Sequence, residues 1–335
     1  MKSQLLVLRA FSFASFSFRF RKLATTSAVV LAALSPALLW ASPMAEKAAI
    51  DRSTYVTVIG GRLGNASDAT FFADPADEKI GNLQPLKPGS DATYSAIALE
   101  QRIDTQWDWK ASVHSTLTDT ASEFTPRPNT MDSDQWASNG LRLSTGDFEV
   151  GYDPHVSPNY DVRLFAGARV VRARNDIGYR YQNFSDDKIG SKSDHGTYAH
   201  KNEVRAIGPR LGLDAAIPLD KSGLRLVASM SGSVVFGKFD SHSSYTLHDD
   251  PSAPVEGGES YSQDKKITNA QASIGLQFDL AADSKLEIGY RAETWHGLLN
   301  SVDDAHGWLG DFTQGGSTDV KFQGPYLALT WKFGS

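Results

Sequence analysis

The chain has no cysteine, which excludes a disulfide framework and thiolate chemistry and suits a protein that must cross an oxidising compartment without mispairing. After residue 45 it has no apolar run near the roughly 20 residues that a membrane helix needs. It has no long 3.6-residue periodicity, so no amphipathic helix is expected. It has neither a nucleophile elbow nor an HExxH zinc pair. Basic charge is in deficit: 33 Lys and Arg stand against 39 Asp and Glu, a formal charge of −6. That argues against nucleic-acid binding, which depends on neutralising phosphates.

What the N-terminus does contain is Lys2, Arg9, Arg19, Arg21 and Lys22, with no acid before Glu46, followed by the apolar run Leu23–Ala41. A basic region, an apolar core and small residues at its end form the layout of a secretory signal. Cleavage is expected after Ala41 and could extend to Ala45. Removal of residues 1–41 takes away five positive charges and no negative ones, so the remainder carries about −11.

Beyond residue 45 the dominant pattern is alternation of apolar and polar residues with period two, the pattern of β-strands with one face of each kind. Ten such segments can be read: 53–62, 93–102, 107–118, 136–152, 160–181, 203–217, 224–238, 270–280, 285–298 and 320–333. In the fourth, the apolar parity switches between Leu143 and Phe148, which predicts a bulge around Thr145–Gly146. Every second connection is short. The others, 63–92, 119–135, 183–199, 241–266 and 299–319, are long and rich in Asp, Ser, Gly and Pro. Short turns on one rim, long loops on the other and an even strand count are the marks of an antiparallel transmembrane β-barrel. About ten strands are expected, with eight or twelve as alternatives, short periplasmic turns and long extracellular loops. Residues 46–335 form one domain in this reading.

Within each segment the charges share one face. An Arg or Lys facing lipid at mid-membrane costs about 2–4 kcal/mol, so the charged face is expected to point inward. The lumen candidates are Glu100, Arg102, Lys110, Glu149, Arg163, Arg169, Arg210, Asp214, Glu287, Arg291 and Glu293. Aromatic residues sort to the segment ends: Trp107, Trp109, Tyr152, Trp331 and Phe333 at the short-turn rim, and Trp136, Tyr179, Tyr181 and Trp295 at the long-loop rim. Rings with a polar edge favour the membrane–water boundary, so two aromatic girdles are expected.

The segments IGPRLGLDAAIPL (207–219), DFEVGYDPHVSPNYDVRLFAGAR (147–169), LEIGYRAETWHGLL (286–299) and GPYLALTWKF (324–333) resemble the Legionella-type major outer membrane protein family of pore-forming proteins. The resemblance runs over roughly the C-terminal two-thirds of the chain. It implies a signal peptide, an outer-membrane barrel and passive pore formation, and it carries no catalytic residue. One departure is that Phe333 is followed by Gly334 and Ser335, where such barrels usually end on the aromatic residue that the assembly machinery reads.

The expectation is therefore an outer-membrane pore for ions or small hydrophilic solutes, without metal or cofactor. Its expected partners are outer-membrane lipid, lipopolysaccharide and the barrel-assembly machinery. The alternatives are a non-conducting barrel that presents its loops and, third, a barrel hydrolase. For the last, His248-Asp249-Asp250 has the residue types for acid–base work.

Overall fold

The computed structural model describes residues 53–67, 89–126, 132–154, 160–184, 195–219, 223–248, 254–306 and 311–334. The expected signal segment lies outside the described residues. The strands are β1 (Thr54–Ser67), β2 (Asp91–Arg102), β3 (Trp107–Thr118), β4 (Ala121–Pro126), β5 (Asp132–Tyr152) and β6 (Asp161–Phe184). They continue with β7 (His195–Pro218), β8 (Arg225–His248), β9 (Val255–Ala281), β10 (Ser284–His306) and β11 (Asp311–Phe333).

Every strand pairs antiparallel with its neighbour in sequence except β3 and β4, which both pair with β5, and β1 pairs with β11. The ring closes because β3 and β4 share one side of β5. β3 takes the lower half, from Trp107↔Tyr152 to Leu117↔Arg142, and β4 takes the upper half, from Ala121↔Asn139 to Pro126↔Asp134. β3 and β4 are thus one interrupted stave, and the barrel has ten staves, as the alternation predicts. Among the described residues the lower staves form a continuous ring of paired strands, the condition for crossing lipid with strands.

Two expectations are corrected. The strands run well beyond the predicted segments, so much of the long links is strand. The link expected over 241–266 is β8 up to His248 and β9 from Val255, and that expected over 299–319 is mostly β10 and β11. The bulge at Thr145–Gly146 is absent: β5 pairs with β6 without a break from Asp132↔Phe184 to Tyr152↔Leu164.

Both errors have one physical cause, a reversal of polarity partway up the staves. On β7 the outward residues from the short-turn rim are Ile217, Ala215, Leu213, Leu211, Pro209 and Ile207, and then Arg205, Glu203 and Lys201. The inward residues over the same length are Ala216, Asp214, Gly212, Arg210, Gly208, Ala206, Val204 and Asn202. The exterior passes from apolar to charged, while the interior passes from charged to a mixture of apolar and neutral polar side chains. The same step falls between Phe236 and Lys238 on β8, between Val170 and Arg172 on β6, and between Pro325 and Gln323 on β11. On β5 it turns Leu141 and Leu143 inward and Phe148 and Val150 outward with no change of register. The lower exterior meets lipid and the upper exterior meets water, so each half buries the opposite chemistry.

Among the described residues, eighteen buried apolar side chains form one cluster in the upper interior, including Leu63, Leu141, Val171, Val204, Phe239, Ile267, Trp295 and Phe322. This is a small globular-protein core enclosed in a barrel that also spans a membrane.

Candidate functional site in the barrel interior

The inward faces of the lower staves carry the lumen candidates. A cavity of about 410 Å³ is lined by residues of this half, including Glu100, Arg102, Lys110, Glu149, Arg163, Arg210, Asp214, Glu287 and Arg291. It reaches the turn residues Asp104, Thr105 and Gln106, so it lies at the short-turn rim. Arg169 and Glu293 stand above it, buried.

The cavity ends at a layer of ion pairs. Arg163 donates through Nε to Asp108 Oδ1 at 2.9 Å, and through Nη1 to Asp214 at 2.9 Å and Glu149 at 3.2 Å. Arg210 donates to Glu149 and lies 3.1 Å from Asp147. Arg169 grips Asp147 with both prongs, Nε to Oδ1 at 2.7 Å and Nη2 to Oδ2 at 2.8 Å. Such two-pronged contacts fix geometry as well as charge. Arg291 donates to Glu293 at 2.9 Å and lies over the Tyr94 ring at 4.5 Å. Lys110 stands in the field of Asp214, Glu100 and Glu149.

Part of this layer crosses the lumen. Arg169 on β6 donates to Asn269 on β9 and lies 5.6 Å from the Trp295 ring on β10. β7 and β8 separate β6 from β9 in the sheet, so these contacts span the interior.

The GPRLGLD stretch shows how the sequence builds the layer. Arg210 and Asp214 point inward, and Gly212 lies between them on the same face, opposite Phe165 of β6. A side chain at 212 would collide with the Phe165 ring. The ring uses that space to sit between two guanidiniums, Arg163 at 5.1 Å and Arg210 at 5.0 Å.

His114 is also inward. Its Nδ1 meets the Tyr94 hydroxyl at 2.8 Å, and its Nε2 meets Ser112 Oγ at 2.9 Å and Asp147 Oδ2 at 3.4 Å. Serine and carboxylate approach the same ring nitrogen, whereas a hydrolase triad needs them on opposite nitrogens. Asp249 and Asp250, named above with His248, lie outside the described residues.

Sequence reasoning missed Asp108 and Asp147. Asp108 is flanked by Trp107 and Trp109, which dominate the reading of that stretch, and Asp147 was obscured by the expected bulge. Strict alternation from Lys110 and from Glu149 would have found both.

The girdle expectation is partly corrected. Trp107 packs at a tilt against Tyr152 at 4.9 Å, and Trp109 stacks on Phe148 at 6.3 Å, on the outer face near the short-turn rim. Trp331 and Phe333 are outward there too. Trp295 is not a girdle residue: it is fully buried in the upper core and donates Nε1 to Glu293 at 2.7 Å. Its odd number places it on the inward face of β10 with Arg291 and Glu293, and water outside that height makes the interior the apolar side. The side chains of Trp136, Tyr179 and Tyr181 lie outside the described residues.

Trp295 opens an irregular stretch. The β10–β11 register shifts between Trp295 and Leu299 and twice more above, and Gly297 adopts φ 75°. That positive φ suits glycine. After it, Leu298, Leu299 and Asn300 are all buried. Lys265 of β9 holds this stretch from the other side, donating Nζ to Leu299 O at 3.0 Å and Asn300 Oδ1 at 2.6 Å over the Phe239 ring. Burial at this height, above the lipid-facing band, lowers the Lys265 pKa to about 8.

A closed antiparallel barrel of ten staves, apolar outside and charged inside over its lower half, defines an outer-membrane β-barrel protein. The match to a family model places it further: residues 89–333 fit the family described as Legionella pneumophila major outer membrane protein precursor. The chain belongs to this family. No curated protein matches it. Among solved structures it is similar to the outer membrane protease OmpT from Escherichia coli, at 14% identity and a TM-score of 0.47, covering 87% of this chain and 100% of that one. It is also similar to a major outer membrane protein from Thermus thermophilus, at 13% identity and a TM-score of 0.30, covering 84% and 99%. A third is the Ralstonia pickettii toluene transporter TbuX, at 10% identity and a TM-score of 0.31, covering 87% and 90%.

Proposed function

We propose that the protein is a narrow outer-membrane pore for ions or small hydrophilic solutes, closed in the conformation described here. The observation that carries this reading is the charged cavity of about 410 Å³ at membrane height. Buried ion pairs are often no more stabilising than apolar packing of the same volume. The upper interior of this same barrel is built around an apolar cluster with mainly neutral polar side chains beside it. Charged groups around a cavity in the lower half are therefore favoured by a need for hydratable surface.

Closure has two parts. The lower is the ion-pair layer, in which Asp147 and Glu149 each serve two arginines and can exchange partners. The upper is the apolar core, to which the irregular stretch of β10 contributes Trp295, Leu298 and Leu299. Movement of that stretch about Gly297 would take three large side chains out of the path together. The arginines set the expected ion preference from positions along the path.

A second reading is a permanently closed barrel that holds its place in the membrane and presents its upper body. The contacts of Arg169 across the lumen favour it. Single-channel recording in planar bilayers separates the two. The pore reading expects discrete openings from the folded protein, more frequent after Trp295→Ala with Leu299→Ala. Silence from both the folded parent and the folded double variant would eliminate it.

A further inference from the structure

We infer that the outer wall of β5–β8, just above the lipid-facing band, is a binding site for the phosphorylated headgroup of lipopolysaccharide. Three cations, Arg172, Arg205 and Lys238, occupy successive cross-strand positions, Arg172↔Arg205 and Arg205↔Lys238. A second like-charge pair, Arg142↔Arg174, stands one register step above. Like charges placed directly opposite across a sheet destabilise it. One carboxylate, Glu203, serves both Arg172 and Arg205, each at 2.8 Å. Asp264 stands across from Lys238, and Arg174 pairs with Asp176 at 2.8 Å. The cations remain accessible: the Arg172 and Arg205 side chains are 63% and 66% exposed. A row of facing cations at such a site relaxes when an anion docks on it.

The position names the anion. Directly below the row, on the same outward face, are Val170, Ile207 and Phe236, cross-strand neighbours of one another and more than half exposed. The row is at the end of the lipid-facing band away from the short turns, so it faces the outer leaflet in an outer-membrane barrel. An amphiphile lying here would place acyl chains on the apolar strip and phosphates on the cations. Three adjacent strands at about 4.8 Å spacing spread the cations over about 10 Å, on the scale of a phosphorylated disaccharide. The opposite wall differs: Arg62 stands across from Thr93 and not from another cation. The inference rests on outer-membrane placement and is independent of whether the lumen conducts.

The test uses the full folded protein in zwitterionic detergent, titrated with bis-phosphorylated lipid A and, separately, with the same lipid after dephosphorylation. Binding is read by native mass spectrometry and by the shift in melting temperature. Phosphorylated lipid A should bind at least ten-fold more tightly than the dephosphorylated form. The triple variant Arg172→Ser, Arg205→Ser, Lys238→Ser should lose that preference, while Arg62→Ser with Lys321→Ser should keep it. Should the triple variant not fold, Lys238→Ser alone is expected to weaken binding several-fold. Equal binding of the two lipids, unchanged binding by the folded variants, or an equal loss in the opposite-wall variant would overturn the inference.

Discussion

Replacing Arg169 by methionine tests the interior most directly. The guanidinium is 1% exposed and engages Asp147 through two bonds, so its removal leaves a carboxylate that is still fully buried. Breaking a buried pair from one side typically costs about 3–5 kcal/mol. Asp147 keeps Arg210 at 3.1 Å and His114 at 3.4 Å, which places the expected loss at the low end, near 3 kcal/mol. The contact with Trp295 adds about 1 kcal/mol, and methionine returns part of that by packing against the ring. Adding Asp147→Asn removes the stranded charge. The double variant should therefore be less destabilised than the sum of the two single variants, by about 1–3 kcal/mol. Urea unfolding in phospholipid vesicles, followed by tryptophan fluorescence, measures all four proteins, and equal slopes confirm that one transition is compared. A loss below about 1 kcal/mol for the single variant, or strict additivity in the double, would refute a bridged, dry layer at this height.

Other consequences follow from the polarity step. Leu211→Arg places a cation in the lipid-facing band and should cost about 2–4 kcal/mol, whereas Lys201→Leu on the same outward face of β7, above the step, should stay within about 0.5 kcal/mol; similar costs would place the boundary elsewhere. Lipids brominated along their acyl chains should quench Trp107 and Trp331, measured in single-tryptophan variants, and leave Trp295 unquenched; quenching of Trp295 would place it outside. Burial holds the folded pKa of Lys265 near 8, below its ordinary 10.5, so the unfolded chain binds more protons between those values. Stability should rise with pH through that window. Lys265→Met should flatten the rise in urea midpoints, and an unchanged slope would contradict the burial of the amine.

The ten staves were legible because alternation is local: each residue's side follows from its number along a strand. The identity of most inward charges at membrane height followed from the same rule. It failed where the meaning of a face changed. Leu141 and Leu143 read as a change of parity because an apolar residue was taken to be outward at every height. The segment 241–266 read as loop because polar residues there occupy both faces, Ser241 and Ser243 buried inside and His242 outside, so the alternation disappears.

By itself, then, the sequence determined the period, a barrel of about ten staves, the charge-bearing face and the turns that reverse the chain. These depend on neighbours within a few residues. Only the tertiary structure decided which charges meet and where the lumen is closed. Arg169 and Asn269 are 100 residues apart, and their contact exists because the curvature of a closed sheet brings β6 and β9 to face each other. The burial of Trp295 has the same origin. An indole at a strand end belongs at an interface when lipid lies outside, and in a core when water does. Which solvent lies outside is set by the height of the whole barrel in the membrane.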